Sequence, residues 1–535
     1  MKEDQFNKNI LLPLLDGKLE LSKERVQANR KMLEPWQVLY AEAAIFQQSG
    51  DMTRAGQRYA AAIKEGIKSF DLFVNYANFL QRVGRHAESI VPANEALSLR
   101  PSDRKAVIAI LTAYLDQSRV TDALALIEGL PSNLRDDRQI QLAYCASLRQ
   151  SGRYVDALDK LKSLSKLYPK DPTVLRMFAD TIGEKDSLEA LSIYDRALSA
   201  SGSEGAPGVS AIKWNMSLHL LRARQLERGW NYYRSGLTKE VGTLGRKLPS
   251  NIQELPLLTF EEAKRSSNEY VLLIVEQGIG DQIFFFSAFE QAFKEIPKHL
   301  LMCEARMKPL LKRSFPDVTL VDPGLLEYIS SKTFPISGYL PLGSIMEAYR
   351  NNLHDFISAR KPYLVVDREK FNHYRSKLKD MAKGRPIVGI SWKGGFWENQ
   401  QKNKTIPIED WESVFKRDAL IVNLQYGNID NDVDWINSKG FNLVRFPNID
   451  FKQDLDDWLA ISAACDGIVS ISTALVHFAG AAGQKIALIM PEKQGPFVWG
   501  LDEERSIVYP NVYIFRPVKG ETVADMVYRV SLVIR

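Results

Sequence analysis

Apolar residues along this chain fall into two regimes. Through about residue 235 they recur at three- and four-residue intervals, the spacing that gives a helix one apolar face. A turn signal interrupts the pattern every 34 residues, at Gly50-Asp51, Gly84-Arg85, Ser118-Arg119 and Gly152-Arg153. Five residues after each turn stands a small side chain (Ala55, Ser89, Ala123, Ala157), as needed where two helices approach closely. Pro101 and Pro169 close the second and fourth units. Two looser units come next, one around Ala190-Tyr194-Ala197 and one from Trp214 through Tyr233. Helix pairs of this kind cannot bury their apolar faces singly, so residues 1–235 are expected to stack into a superhelix with a concave groove.

Between residues 236 and 268 the helical pattern lapses into Gly242, Gly245, Pro249, Pro256 and the polar run Lys264-Arg265-Ser266-Ser267-Asn268, which predicts a linker. Beyond it, short apolar runs alternate with amphipathic segments. Strands are expected near Val271–Val275, His299–Cys303, Val318–Asp322, Tyr363–Asp367, Pro386–Ser391, Ala419–Leu424, Phe441–Phe446, Gly467–Ile471 and Lys485–Met490. Strands alternating with helices give parallel sheets. A long candidate helix, Arg368 to Met381, divides these strands into two Rossmann-like halves, 269–384 and 385–535. Ligands in such folds sit outside the carboxyl ends of the strands, so four turns there hold the candidate chemistry.

The first turn is Glu276-Gln277-Gly278-Ile279-Gly280-Asp281. Gly278 and Gly280 let a ligand approach backbone at a helix start, where free N–H groups favour anions. The third glycine of the dinucleotide fingerprint is replaced by Ile283, which argues against an oxidoreductase. The second turn, Trp392-Lys393-Gly394-Gly395, with Lys402 and Lys404 behind it, offers cations and open backbone for a diphosphate. The third, Asn423-Leu424-Gln425-Tyr426-Gly427, carries amide and aromatic groups suited to a base or ribose. In the fourth, Ser472 and Thr473 end a strand and can cap a helix beginning at Ala474, with His477 one turn in.

Composition adds exclusions. Seventy basic residues against 65 acidic ones leave a net charge of +5, with no long basic run, so nucleic acid is not an expected partner. Cys145, Cys303 and Cys465 are scattered and odd in number, giving neither a disulfide framework nor a zinc signature. No apolar run approaches 18 residues and the N-terminus lacks a signal-peptide pattern, so a cytoplasmic location without membrane association is expected.

The 34-residue period, with its small residues and closing prolines, resembles the tetratricopeptide repeat (TPR). Six collinear motifs in the second regime are more specific: the 276–281 turn, Arg313-Ser314-Phe315-Pro316, Leu340-Pro341-Leu342-Gly343-Ser344, Gly389-Ile390-Ser391-Trp392-Lys393-Gly394, Asn423–Gly427 and Ser470–Gly480. Together they resemble bacterial TPR glycosyltransferases related to the heptosyltransferases, a group that includes flagellin-modifying enzymes. The resemblance implies a TPR superhelix followed by a GT-B fold of two Rossmann-like domains facing across a cleft. It implies metal-independent, inverting transfer from a nucleotide sugar to a protein acceptor, flagellin or a similar surface protein, held by the TPR groove. No cofactor is implied; among donors, a CMP-nonulosonic acid leads, ahead of UDP- or ADP-sugars. The family's proposed general base maps onto Asp281. The family usually has Asp where this chain has Ser472, which puts any role for that carboxylate in doubt.

The candidate site is therefore Asp281 and His477 for catalysis, with Gly278, Gly280, Lys393, Gly394, Gln425, Tyr426, Ser472, Thr473 and Ala474 for the nucleotide sugar. Plainer readings stand beside these. Asp281 has a plainer use as a helix cap. His477 serves as a structural histidine, Lys393, Lys402 and Lys404 as solvated loop lysines, and Trp392, Trp397 and Trp499 as packing. The alternative for the whole chain is a TPR scaffold whose GT-B half has lost catalysis.

Overall fold

The 34-residue turn signal is a backbone requirement. In a computed structural model, Gly50, Gly84 and Gly152 have φ of 85°, 77° and 82°, the left-handed region that glycine enters freely. Ser118, at the same place in the third unit, is held there at φ 56°. The structure describes residues 1–535 except 239–240, 242–244, 247, 250–251, 253–254, 326–334, 395–404, 493–494 and 534–535.

Two compact units divide at Pro169/Lys170. In the first, each turn joins two antiparallel helices: Pro35–Gln48 with Met52–Lys64, Phe70–Arg82 with His86–Leu99, Arg104–Asp116 with Val120–Gly129, and Arg138–Gln150 with Tyr154–Leu167. Ala55, Ser89, Ala123 and Ala157 are all fully buried between helices, as their size predicts.

The second unit opens with the two looser hairpins, Pro172–Ile182 with Ser187–Ser201 and Val209–Arg222 with Leu226–Tyr233. The compact units thus divide ahead of residue 235, where the sequence pattern changes. The second of these hairpins shares a core with the α/β region: Trp214, Leu221, Trp230 and Tyr233 pack in one cluster with Phe284, Phe285 and Phe289.

The rest of this unit is built on two all-parallel sheets. The first consists of β1 (Tyr270–Ile274), β2 (His299–Met302), β3 (Leu320–Val321) and β4 (Ile336–Pro341), in the order β3-β2-β1-β4. The second consists of β5 (Ile387–Ser391), β6 (Leu420–Asn423), β7 (Gly467–Ile471), β8 (Ile486–Ile489) and β9 (Val512–Phe515), in the order β6-β5-β7-β8-β9. Burial on both faces explains their continuous apolar runs: β5 and β7 are buried at every residue. The helix Arg368–Ala382 joins the halves. Helical repeats followed by two Rossmann-like sheets are the TPR and GT-B fold class expected from the sequence.

Three local expectations fail. Tyr363–Asp367 is not a strand: the Tyr363 and Leu364 N–H groups donate to Ala481 O, at 2.8 and 3.1 Å, rather than to a ladder. Phe441–Phe446 contributes only a bridge from Val444 to Val422. Among its described residues, the 236–268 stretch is not a free linker. Ile252 and Arg246 are buried, and Pro256–Leu258 extends the β4 edge through Tyr339 N to Pro256 O (2.8 Å) and Leu258 N to Tyr339 O (2.9 Å).

Candidate functional site

β1 ends in a strained turn. Gln277 has φ 63°, uncommon for a residue with a β-carbon and costing about 1–3 kcal/mol. The turn leads through Gly278 into the helix Ile279–Phe285. Asp281 lies in its first turn, half-buried, and a β-carbon added at Gly278 would stand 3.2 Å from its Oδ2. The carboxylate thus lies back over the helix start, where it complements the dipole. Gly280 has a different task. A β-carbon there would stand 2.9 Å from His477 Cδ2, so this glycine lets the 279–285 helix meet the helix of the other half.

Below this turn sits an ion pair no sequence pattern announced. Arg246 donates through Nε to Glu276 Oε2 at 2.7 Å and through Nη2 to Oε1, with both side chains at most 1% exposed. Glu276 Oε1 also accepts from Gly343 N at 2.8 Å, and Arg246 Nη2 donates to Ser344 Oγ at 3.0 Å. The guanidinium lies 4.8 Å from the Tyr233 ring centre. Strand ends β1 and β4 and the last repeat helix are tied at one point. Tyr233 adds a hydroxyl near Gln277, held far above its usual pKa chiefly by burial, then by the Glu276 charge.

The opposing lip lies beyond β7. Thr473 takes the N-cap position of the helix Ala474–Ala481 in extended conformation (φ −131°, ψ 173°) without a side-chain cap bond. Its hydroxyl is unpaired although the residue is 7% exposed. Ser472 is committed elsewhere, accepting from Trp499 Nε1 at 2.8 Å. His477 is 6% exposed, with Nδ1 2.9 Å from the Tyr509 hydroxyl and its ring 4.9 Å from Trp499. Burial pushes its pKa down to about 3. The structure thus places His477 in the packing between helices, neutral near pH 7 and partnered by a tyrosine hydroxyl, rather than in an open cleft.

β5 and β6 are clamped by Gln425. Its Oε1 accepts from Ser391 Oγ (2.9 Å), Trp392 N (3.0 Å) and Lys393 N (2.8 Å), and its Nε2 donates to Tyr426 O (3.0 Å). The amide expected to read a base instead fixes the two strand ends. Lys393 is ion-paired with the nearly buried Asp432, and Gly394 is buried. Tyr426 faces a cavity of about 260 Å³ lined also by Asn423, Arg445 and Asp450, beside which Lys452 Nζ lies 5.8 Å from the Tyr426 ring centre. Trp392 and Trp499 are fully buried, so they pack rather than stack on a ligand. Trp397, Lys402 and Lys404 lie outside the described residues.

Side chains also tie the two halves together. Arg313 bonds Asp456 through both Nη atoms and Val365 O through Nε (2.8 Å). Asp456 and Asp457 therefore serve the joint between halves, Asp457 accepting from Tyr374 at 2.7 Å. Among the described residues no group of three or more His, Cys, Asp or Glu is placed to hold a metal ion, and no helix is long and apolar enough to cross a membrane.

Residues 26–200 match the family model described as the tetratricopeptide repeat, and this region carries those repeats. Protein FlbA of Caulobacter vibrioides is 24% identical over 333 residues, 59% of this chain and 54% of FlbA. The chain thus spans about half the length of the curated relative it matches. Among solved structures, a tetratricopeptide repeat protein from Parabacteroides merdae is 16% identical, with a TM-score of 0.39, covering 44% of this chain and 94% of that one. The E. coli ADP-heptose lps heptosyltransferase II is 15% identical (TM-score 0.35; 49% and 99% covered). A glycosyl transferase family 9 protein from Veillonella parvula is 11% identical (TM-score 0.35; 47% and 86% covered).

Proposed function

We propose that this chain, tetratricopeptide repeats followed by a GT-B pair of sheets, is a glycosyltransferase that moves a sugar from a nucleotide donor to a protein held by the repeats. One observation carries the reading. A carboxylate on one half, Asp281, and a helix start with an unpaired buried hydroxyl on the other, Thr473, flank the contact of Gly280 with His477.

Transfer needs an acceptor hydroxyl to lose its proton as its oxygen attacks the anomeric carbon, while the bond from that carbon to the phosphate oxygen breaks. Asp281 takes the proton, a contribution of about 10²–10⁴-fold. The departing phosphate is met by the first N–H groups of the 474–481 helix, at 474 and 475, and the Thr473 hydroxyl, preorganised donors that need no rearrangement. Lys393 joins them by exchanging Asp432 for phosphate. Tyr426 and its cavity take the nucleoside. His477 holds the two helices in register.

The acceptor class, flagellin or a similar surface protein, and the leading donor, a CMP-nonulosonic acid, rest on the sequence resemblance; UDP- and ADP-sugars fit the same helix start. A second reading, a TPR scaffold with an inactive GT-B half, draws on Ser472 being committed to Trp499 and Lys393 to Asp432. Thermal-shift screening against UMP, UDP, CMP, ADP and GDP separates the two. One nucleotide should stabilise both the wild type and Asp281→Asn by mass action, and Asp281→Asn should lose transfer. No shift with any nucleotide would leave the scaffold.

A further inference from the structure

The last repeat hairpin, like the third unit with Ser118 (φ 56°), places a residue with a side chain at the left-handed turn position. Where Gly50, Gly84 and Gly152 supply the left-handed turn residue, this hairpin has Arg224, at φ 62°. A side chain is kept where the backbone favours none, and its contacts explain why. Arg224 donates through Nη1 to Phe497 O (2.9 Å), through Nη2 to Val498 O (3.2 Å), and through Nε to the Glu503 carboxylate. From the other side Arg516 donates to Trp499 O (3.1 Å), Gly500 O (2.8 Å) and Glu503 O (3.0 Å).

The 497–503 segment thus has its carbonyls satisfied largely by two guanidinium groups from elsewhere in the chain. Its own regular structure is a single short turn, Phe497–Trp499. The segment carries Trp499, whose indole N–H holds Ser472 and whose ring lies on His477, beside the unpaired Thr473 hydroxyl. Phe497 completes the seat, packing edge-on to Trp230 (5.8 Å) and Tyr233 (6.5 Å) of the same hairpin.

We propose that Arg224 is a positioning residue for the phosphate end of the donor site, acting through Glu503 and the 497–503 segment on Trp499 and Ser472. The inference rests on the glycosyltransferase reading. It makes the last repeat hairpin part of the donor site as well as part of the repeat array. Arg224→Ala removes all three of its bonds to the 497–503 segment at once and leaves the Phe497 and Val498 carbonyls without these donors. Arg224→Lys keeps the charge but not the fork.

The test is isothermal titration of the full chain with whichever of UMP, UDP, CMP, ADP or GDP stabilises the wild type, alongside hydrogen exchange. Arg224→Ala should weaken that nucleotide at least tenfold and speed exchange at 472–478 and 497–503, with strands β5 and β7 still protected. Arg224→Lys should recover part of the affinity. A merely structural role predicts a lower Tm with unchanged affinity of the folded protein, and that result overturns the inference. So does unchanged exchange at 472–478. If the wild type binds none of the five nucleotides, the glycosyltransferase reading falls and this inference with it; if the wild type binds and Arg224→Ala binds equally, the inference alone falls.

Discussion

Gly280 lies against the His477 imidazole, so closely that a β-carbon at 280 would stand 2.9 Å from Cδ2 of the ring. The two residues belong to different sheets' helices, and their contact sets how near the Asp281 lip comes to the Thr473 lip. The ring has little room to withdraw, with Nδ1 on Tyr509 and one face against Trp499.

Gly280→Ala should therefore destabilise the fold. Helix propensity alone favours alanine by about 1 kcal/mol, whereas overpacking a filled contact costs about 1–3 kcal/mol. The balance should appear as a lowered Tm in calorimetry and weaker nucleotide binding. Gly129→Ala, at a helical glycine with nothing within 4 Å of the added carbon, is the control and should be neutral or stabilising.

Two histidines, His477 buried and His219 part-buried, give the protein an acid-sensitive stability. His477 and His219 are both pushed down to about 3, by burial in each case and further by the neighbouring Arg222 for His219. The unfolded chain takes up protons near pH 6.5 while the folded chain does not. Their stability contribution is thus complete above about pH 6.5 and is lost as pH falls toward 3. Each should add a slope of about 1.4 kcal/mol per pH unit in that window. Urea titrations between pH 6 and 4 should show His477→Gln flattening the slope by roughly that amount. An unchanged slope would mean the imidazole is protonated in the folded state.

The Arg246–Glu276 pair makes a sharper demand. With both side chains out of water, removing one charge strands the other. Glu276→Gln should cost about 3–5 kcal/mol, while the double change with Arg246→Met should cost less than the sum of the two single changes. Denaturant unfolding of the three variants measures the coupling directly.

How far these features can be read from sequence depends on whether one residue's local need or a distant partner decides them. The repeats are legible because each turn needs a left-handed residue and each helix crossing a small one, needs that return every 34 residues at Gly50 and Ala55 and their equivalents. The β1 turn is legible in part: Gly280 is the small residue a helix crossing needs, but the left-handed position falls on Gln277, which no glycine marks. Arg246 is not, since a charge in a Gly- and Pro-containing stretch looks solvated until its partner at 276 is known. Arg224 and Tyr233 escape likewise: their partners lie in other elements, up to 279 residues away. Gln425, Lys393 and His477 stand out in the sequence, but their local chemistry suits a ligand and a protein partner equally. Only packing shows the Gln425 amide on three backbone and hydroxyl donors. Tyr363–Asp367 reads as a strand because burial of apolar residues does not report where the backbone N–H groups go.

Thr473 offers the cleanest separation of binding from folding. Its hydroxyl is buried and unpaired, so the protein alone gains nothing from the oxygen and bears its desolvation. Thr473→Val keeps the shape and removes that group, and should leave Tm unchanged or slightly raised. Bound phosphate reverses the balance, because a hydrogen bond to a charged group contributes about 1.5–3 kcal/mol. Nucleotide affinity should then fall by about ten- to a hundredfold. A variant that is as stable as the wild type and binds nucleotide as tightly would show that the phosphate does not reach Thr473, and would move the donor's charged end away from the 474–481 helix.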